Sequence, residues 1–161
     1  MEQELASALE LREKGELKKS NKILVSLVEK YPDDAFIHYQ CAWSFDRLGE
    51  ESRAVPYYVK AIDLGLSDKD LEGALIGLGS TYRTLGEYEN SELTHKKAID
   101  LFPNNRAVQV FYAITLYNLE EHHQAMELLL KCLIDTTSDD EILRYKRAIH
   151  FYSDKLDEIW T

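Results

Sequence analysis

The chain has 161 residues, 45% of them apolar, with only three prolines and seven glycines, which is enough to bury the core of one domain and excludes a disordered chain. Acidic residues outnumber basic ones by 29 to 19, a formal net charge of −10, so the surface repels phosphate backbones and anionic lipid, and nucleic acid and membrane are not expected as partners. No apolar run is long enough to span a bilayer, the opening MEQELASALE lacks the features of an export signal, and two cysteines without CxxC spacing indicate neither a disulfide framework nor a zinc site; a soluble, cytoplasmic protein is expected.

In chain order, the sequence falls into units of two segments with helical apolar spacing, each unit divided near its middle. The first, residues 1–34, breaks at Gly15 and ends in Pro32-Asp33-Asp34. The second, 35–68, breaks at Gly49. Pro56 falls inside its second segment, where proline normally costs about 3 kcal/mol; with Ser52 as N-cap, a slight kink and not a break is expected. Ser67-Asp68-Lys69-Asp70 then reads as a capping box, and residues 69–71 form an insert of nearly one turn that lengthens the next helix without disturbing its buried face. The third unit, 72–105, breaks at Gly86 and ends in Pro103-Asn104-Asn105. The fourth, 106–139, is followed by residues 140–160, where Ile142, Tyr145, Ile149, Tyr152, Leu156 and Ile159 recur three or four apart behind a capping box at Ser138–Glu141. One long amphipathic helix is predicted there, covering the raw end of the stack.

The register comes from a repeated pentapeptide. Lys60-Ala61-Ile62-Asp63-Leu64 recurs as Lys97-Ala98-Ile99-Asp100-Leu101, and Leu48-Gly49-Glu50 matches Leu85-Gly86-Glu87 at the same offset of 37; elsewhere the offset is 34, as from Gly15 to Gly49. A period of 34 with one three-residue insert predicts stacked helix pairs. Ala8, Ala42, Gly79 and Ala113 share one position, and Ser20, Ala54, Ser91 and Ala125 another. Both are small in every copy, which lets the two helices of a pair cross near the short end of the usual range, about 8 Å. Leu24, Tyr58 and Leu129, with Val28, Ile62, Ile99 and Leu133, are predicted to fill the layers between units.

This pattern resembles the tetratricopeptide repeat, best at Leu78-Gly79, Tyr82, Gly86, Tyr88, Ala98 and Pro103. It departs from it at the fourth position of the unit, where Glu4, His38, Leu75 and Gln109 stand for the usual Trp, and where Leu66 and Thr137 replace Pro. The resemblance implies an all-α, right-handed α-solenoid of helix-turn-helix repeats with a C-terminal capping helix, acting as a non-enzymatic protein–protein interaction module or scaffold without a cofactor. It also implies that the first helix of each unit lines a concave groove. The family's ligand-facing positions fall on Phe36, Tyr39, Trp43, Asp46 and Arg47 in the second unit. They fall on Ile76, Ser80, Arg83 and Thr84 in the third, and on Val110, Ile114, Tyr117 and Asn118 in the fourth. Relatives that clamp a peptide's C-terminal carboxylate carry Lys and Asn where this chain has Tyr39, Trp43, Ile76, Ser80, Val110 and Ile114, so that function is not expected. The groove is predicted to be apolar and aromatic, with Arg12, Arg47 and Arg83 along one edge. Its expected occupant is an amphipathic segment of another protein, or the equivalent surface of a second copy in a homodimer that hides the apolar face. A purely structural spacer is the alternative.

Chemistry is sparse. His122 and His123 are neighbours on a helix and diverge by about 100°, no glycine-rich phosphate loop follows a strand, and Asp33-Asp34 and Asp139-Asp140-Glu141 sit at helix starts, where they complement the dipole. Cys41 and Cys132 lie in different units and read as buried free thiols. An enzymatic alternative would pair His38 with Asp46, but their spacing on one helix sets them about 12 Å apart along its axis. No catalytic residue and no metal ligand is expected.

Overall fold

The computed structural model describes residues 1–161. Four antiparallel helix pairs come first: α1 (Glu2–Glu13) with α2 (Leu17–Lys30), α3 (Ala35–Arg47) with α4 (Glu51–Leu64), α5 (Asp68–Thr84) with α6 (Tyr88–Leu101), and α7 (Arg106–Asn118) with α8 (His122–Thr136). Two short helices follow, α9 (Asp140–Arg144) and α10 (Lys146–Tyr152), and there are no strands. No helix is long and apolar enough to cross a membrane. From α1 to α8 each helix packs on the next. In addition α5 packs on both α3 and α7, whereas α2, α4, α6 and α8 share no packing of that extent with one another. The stack therefore closes on its odd-numbered side, which is the concave one.

The turn inside each pair is built four times in one way. The N–H groups of Glu16, Glu50, Glu87 and Glu121 donate to the carbonyls of Leu11, Phe45, Tyr82 and Leu116 at 2.8, 3.0, 2.9 and 2.9 Å, the bond that closes a helix through a left-handed residue. That residue is Gly15, Gly49 or Gly86 in three pairs and Glu120, at φ 63°, in the fourth.

Between pairs a second device recurs. Asp34 and Asn105 cap α3 and α7 by accepting from the Ile37 and Val108 N–H groups at 2.9 and 3.1 Å. The carbonyls of Pro32 and Pro103 accept from His38 Nε2 and Gln109 Nε2, both at 2.9 Å. His38 and Gln109 thus replace the expected tryptophan with a donor that ties the incoming turn to the next helix. At the junction of the second and third units Leu66 stands for the proline and Leu75 for the donor, so the carbonyl remains but no side chain is there to donate to it.

The insert lengthens α5 to 17 residues, against 13 in α3 and α7. Ser67 Oγ donates to Asp70 Oδ2 at 2.7 Å and makes no bond to the backbone at this cap. The N-cap of α4 is Glu50 and not Ser52, which places Pro56 inside the helix. The helix runs on to Leu64 regardless, because the carbonyl left without a donor, that of Ser52, belongs to an exposed residue.

The small positions are buried as expected: Ala8, Ser20, Ala42, Ala54, Ser91 and Ala113 are wholly inaccessible. Leu24, Leu27, Phe45 and Tyr58 fill the space between the first pairs. Ile62 and Ile99 are half-buried at the edge of the layers, while Leu133 is exposed, since no further pair covers α8. The tail departs most from expectation. Its cap is Asp139, which accepts from Ile142 N–H at 3.0 Å, and the single helix predicted over 140–160 is broken at Tyr145 and ends at Tyr152. Ser153 Oγ donates to the His150 carbonyl and Lys155 Nζ to the Phe151 carbonyl, at 2.8 and 3.2 Å, so side chains satisfy acceptors that a continuing helix would have used. Of the apolar stripe, Ile142 and Ile149 are half-buried, while Tyr145, Tyr152 and Leu156 are exposed and Ile159 is 90% exposed. α10 packs on α8, and the end of the stack is only partly covered.

One buried position is polar where its equivalents are apolar. His95 stands where the other units have Leu24, Tyr58 and Leu129, fully inaccessible, its ring against the backbone of Gly79. Its Nδ1 lies 3.2 Å from Thr115 Oγ1, and Ser91 Oγ donates to the Gly79 carbonyl at 2.7 Å while touching Thr115 Oγ1 at 2.8 Å. Burial, with a smaller contribution from Arg83, pushes the imidazole down to about 4. The unfolded chain takes up this proton near the ordinary histidine value of about 6.5, so the contribution is complete above that pH and lost as pH falls toward 4. Chemical denaturation across this range should show up to about 3 kcal/mol of lost stability that is missing from the slope of His95→Gln. Glu120→Gly should raise stability by about 1 kcal/mol at the remaining left-handed non-glycine turn, read as a higher denaturation midpoint, whereas glycine inside a helix lowers it.

Candidate functional site

The concave side holds a cavity of about 360 Å³ between the second, third and fourth pairs. Tyr39, Trp43, Asp46 and Arg47 reach it from α3, Ile76 and Ser80 from α5, and Phe111 from α7. Tyr58 of α4 forms part of the lining from behind. The room for these rings comes from glycine: the Tyr39 hydroxyl lies over Gly73, and a Cβ at Gly77 would stand 2.5 Å from the Tyr58 hydroxyl and 2.6 Å from its ring carbon. Gly73 and Gly77 are one helical turn apart on α5 and so form a trough along one face.

The polar groups lining the cavity are largely committed. Tyr58 donates to Asp46 Oδ2 at 2.6 Å, and Thr81 Oγ1 lies 3.0 and 3.1 Å from the two carboxylate oxygens and 2.7 Å from the Gly77 carbonyl. Burial raises the Asp46 carboxyl above its ordinary value, opposed by the Tyr58 and Thr81 hydroxyls. This knot ties α3, α4 and α5 together. Trp43 is 37% exposed, with the Arg12 guanidinium 4.1 Å from its ring centroid.

Of the residues expected from sequence, Tyr39, Trp43, Arg47, Ile76 and Ser80, with Asp46, meet in this cavity. Phe36 does not line it; half-buried, it packs edge-on against Tyr39 with ring centroids 6.4 Å apart. Arg83 is half-buried and reaches toward Asn118 Oδ1 at 3.5 Å. Val110 is half-buried, Ile114 is exposed, and Tyr117 is 64% exposed against His122. These three residues of α7 lie outside the cavity lining. The fourth unit contributes Phe111 instead, which the groove pattern passes over. In the 34-residue frame Phe111 aligns with Gly77, and that exchange of glycine for an aromatic is the signal that points to it.

His38 and Asp46 do not meet: His38 Nε2 is bound to Pro32 and Asp46 to Tyr58 and Thr81. Burial pushes the Cys41 thiol up to about 12, which removes its thiolate at neutral pH. No group of three or more His, Cys, Asp or Glu residues is placed to hold a metal ion. A wider dent of about 500 Å³ lies at the first turn, lined by Gly15, Leu17 and Leu48 with charged Glu16, Lys18 and Lys19, and it lacks the convergent aromatics of the concave cavity.

Alanine normally gains about 1 kcal/mol over glycine inside a helix. At Gly77 the sign should reverse, with Gly77→Ala losing about 1–3 kcal/mol in urea unfolding because the Tyr58 ring must shift.

Residues 35–156 match the sequence model of the tetratrico peptide repeat family. The chain is similar to superkiller protein 3 of Saccharomyces cerevisiae, 28% identical over 91 residues, which is 56% of this chain and 6% of that protein. It therefore spans a small fraction of that relative's length. Among solved structures it is similar to MamA 41-end from Desulfovibrio magneticus RS-1, with TM-score 0.76 and 13% identity over 94% of this chain and 88% of that one. It is also similar to YrrB, described as a TPR protein with an unusual peptide-binding site, with TM-score 0.73 and 16% identity over 87% and 71%. At these identities the likeness shows the fold.

Proposed function

Because the chain belongs to the tetratrico peptide repeat family, we propose that it is a non-enzymatic interaction module whose concave cavity grips a segment of a partner polypeptide. The observation that carries this reading is the convergence of Tyr39, Trp43, Ile76 and Phe111 around one open cavity on the concave side. Aromatic side chains held on rigid helices concentrate binding energy, because their large apolar area is ordered before the partner arrives. Tyr39 and Trp43 are held by their neighbours: Phe36 and Tyr58 flank Tyr39, and Arg12 stacks on Trp43. The peptide-binding site attributed to YrrB agrees with such a use of the fold. An amphipathic partner segment would place its apolar side chains between Trp43 and Ile76 and its polar face toward Ser80 and Arg47. The exposed Ile114 and Tyr117 on α7, with Val110, would extend this contact along the stack.

Selection of a displayed peptide library on the wild-type protein tests the proposal. Selected peptides should lose about tenfold or more in affinity for Trp43→Ala. They should lose little for Arg53→Ala, whose side chain lies on α4 over the Phe45 ring. Equal losses from the two substitutions would remove the groove from consideration.

A further inference from the structure

Three arginines on the concave side are left unexplained by an apolar groove. Arg12, Arg47 and Arg83 stand in the last turns of α1, α3 and α5, and no ion pair of the molecule includes any of them. Carboxylates are plentiful in a chain of net charge −10, yet none is placed against these cations. A cation in the last turn complements the helix dipole, but that role is filled from solvent and requires no burial. Arg12 is 6% exposed, with Nε and Nη1 buried and without hydrogen-bond partners, and Nε of Arg83 is in the same condition. Buried guanidinium donors without acceptors are costly. Stacking does not satisfy them: Arg12 presents its face to Trp43, while its N–H groups radiate in the plane and stay unspent. Asp46, the carboxylate lining the cavity, is engaged by Tyr58 and Thr81, and Glu13, next to Arg12, is exposed and forms no ion pair.

We propose that the occupant of the groove is an acidic segment of another protein, whose carboxylate side chains accept hydrogen bonds from the exposed Arg47 guanidinium and from Nη2 of Arg12 and Arg83, the donors of those two side chains that are neither sealed nor bonded, while an adjoining apolar side chain enters the cavity beside Trp43. The assignment rests on the concave face being the interaction surface. Guanidinium forks match carboxylates in geometry as well as charge. The three cations belong to three successive odd-numbered helices, which suits several acidic side chains along a segment and not a single chain terminus. The acidic character of the rest of the molecule adds specificity, since an acidic segment is repelled elsewhere and meets unpaired cations here.

Titration calorimetry with two synthetic peptides tests this, one alternating glutamate with phenylalanine and one alternating glutamine with phenylalanine, both amidated at the C-terminus. The glutamate peptide should bind the wild-type protein about tenfold more tightly, with an advantage that shrinks as salt rises. Arg47→Gln, at an exposed position that leaves folding intact, should weaken the glutamate peptide about fivefold and leave the glutamine peptide unchanged; Lys60→Gln, exposed on α4, should change neither. Equal affinities for the two peptides, both lost in Trp43→Ala, would overturn the acidic occupant and leave the groove standing. Binding of neither peptide would also overturn it, with the library selection then deciding the groove itself. Self-association of the wild-type protein by light scattering, abolished by Arg47→Gln, would put a second copy in the groove and overturn the assignment to another protein.

Discussion

The crossing of the two helices in each pair is the constraint on which the remaining structure depends. Ala8 against Ser20, Ala42 against Ala54, Gly79 against Ser91 and Ala113 against Ala125 are small on both sides, and all are buried. A larger side chain at any of them would force the helix axes apart. The cost would not stay local, because each pair forms the surface on which the next one packs. The left-handed turns work to the same end: a fixed bond from the Glu N–H to the carbonyl five residues earlier sets the angle at which the second helix returns.

Given that frame, the concave side is free to vary, and it varies in a coupled way. Gly73 and Gly77 remove side chains from α5 just where Tyr39 and Tyr58 lean across, and Phe111 restores bulk from α7. The cavity is thus the product of substitutions on three units, none of which means much alone. Asp46 illustrates the coupling. It stands at a groove position, yet its carboxylate is held by Tyr58 and Thr81, so it joins neighbouring pairs and leaves the arginines without an internal counter-charge.

Much of the scaffold was legible because the repeat compares the chain with itself. Recurrence at 34 residues picked out the small crossing positions, the glycine turns, the inserted turn at the start of α5 and the aromatic face of α3. Legibility fell where that comparison had no second copy. The tail repeats nothing, and its helical apolar spacing missed the competition of Ser153 and Lys155 for the last carbonyls of α10. The cap of α4 was misplaced at Ser52 because a good capping residue was weighed without the turn bond that fixes Glu50. Phe36, Arg83, Val110, Ile114 and Tyr117 hold groove positions of the repeat yet do not line the cavity, because the cavity is bounded by whichever side chains the neighbouring helices leave room for.

By itself the sequence determined the all-helical stack, its period and the family, because these follow from which positions are apolar, small or glycine, and such patterns are read along the chain. It also singled out Tyr39, Trp43, Arg47, Ile76 and Ser80, which meet in one cavity. Only the tertiary structure decided that Phe111 completes that cavity, that His95 is buried at a hydroxyl network, and that Arg12 is stacked on Trp43 with its donors unmatched. Each of these is a contact between helices from different units, and burial and partnership across such contacts depend on distances that spacing along one helix does not contain.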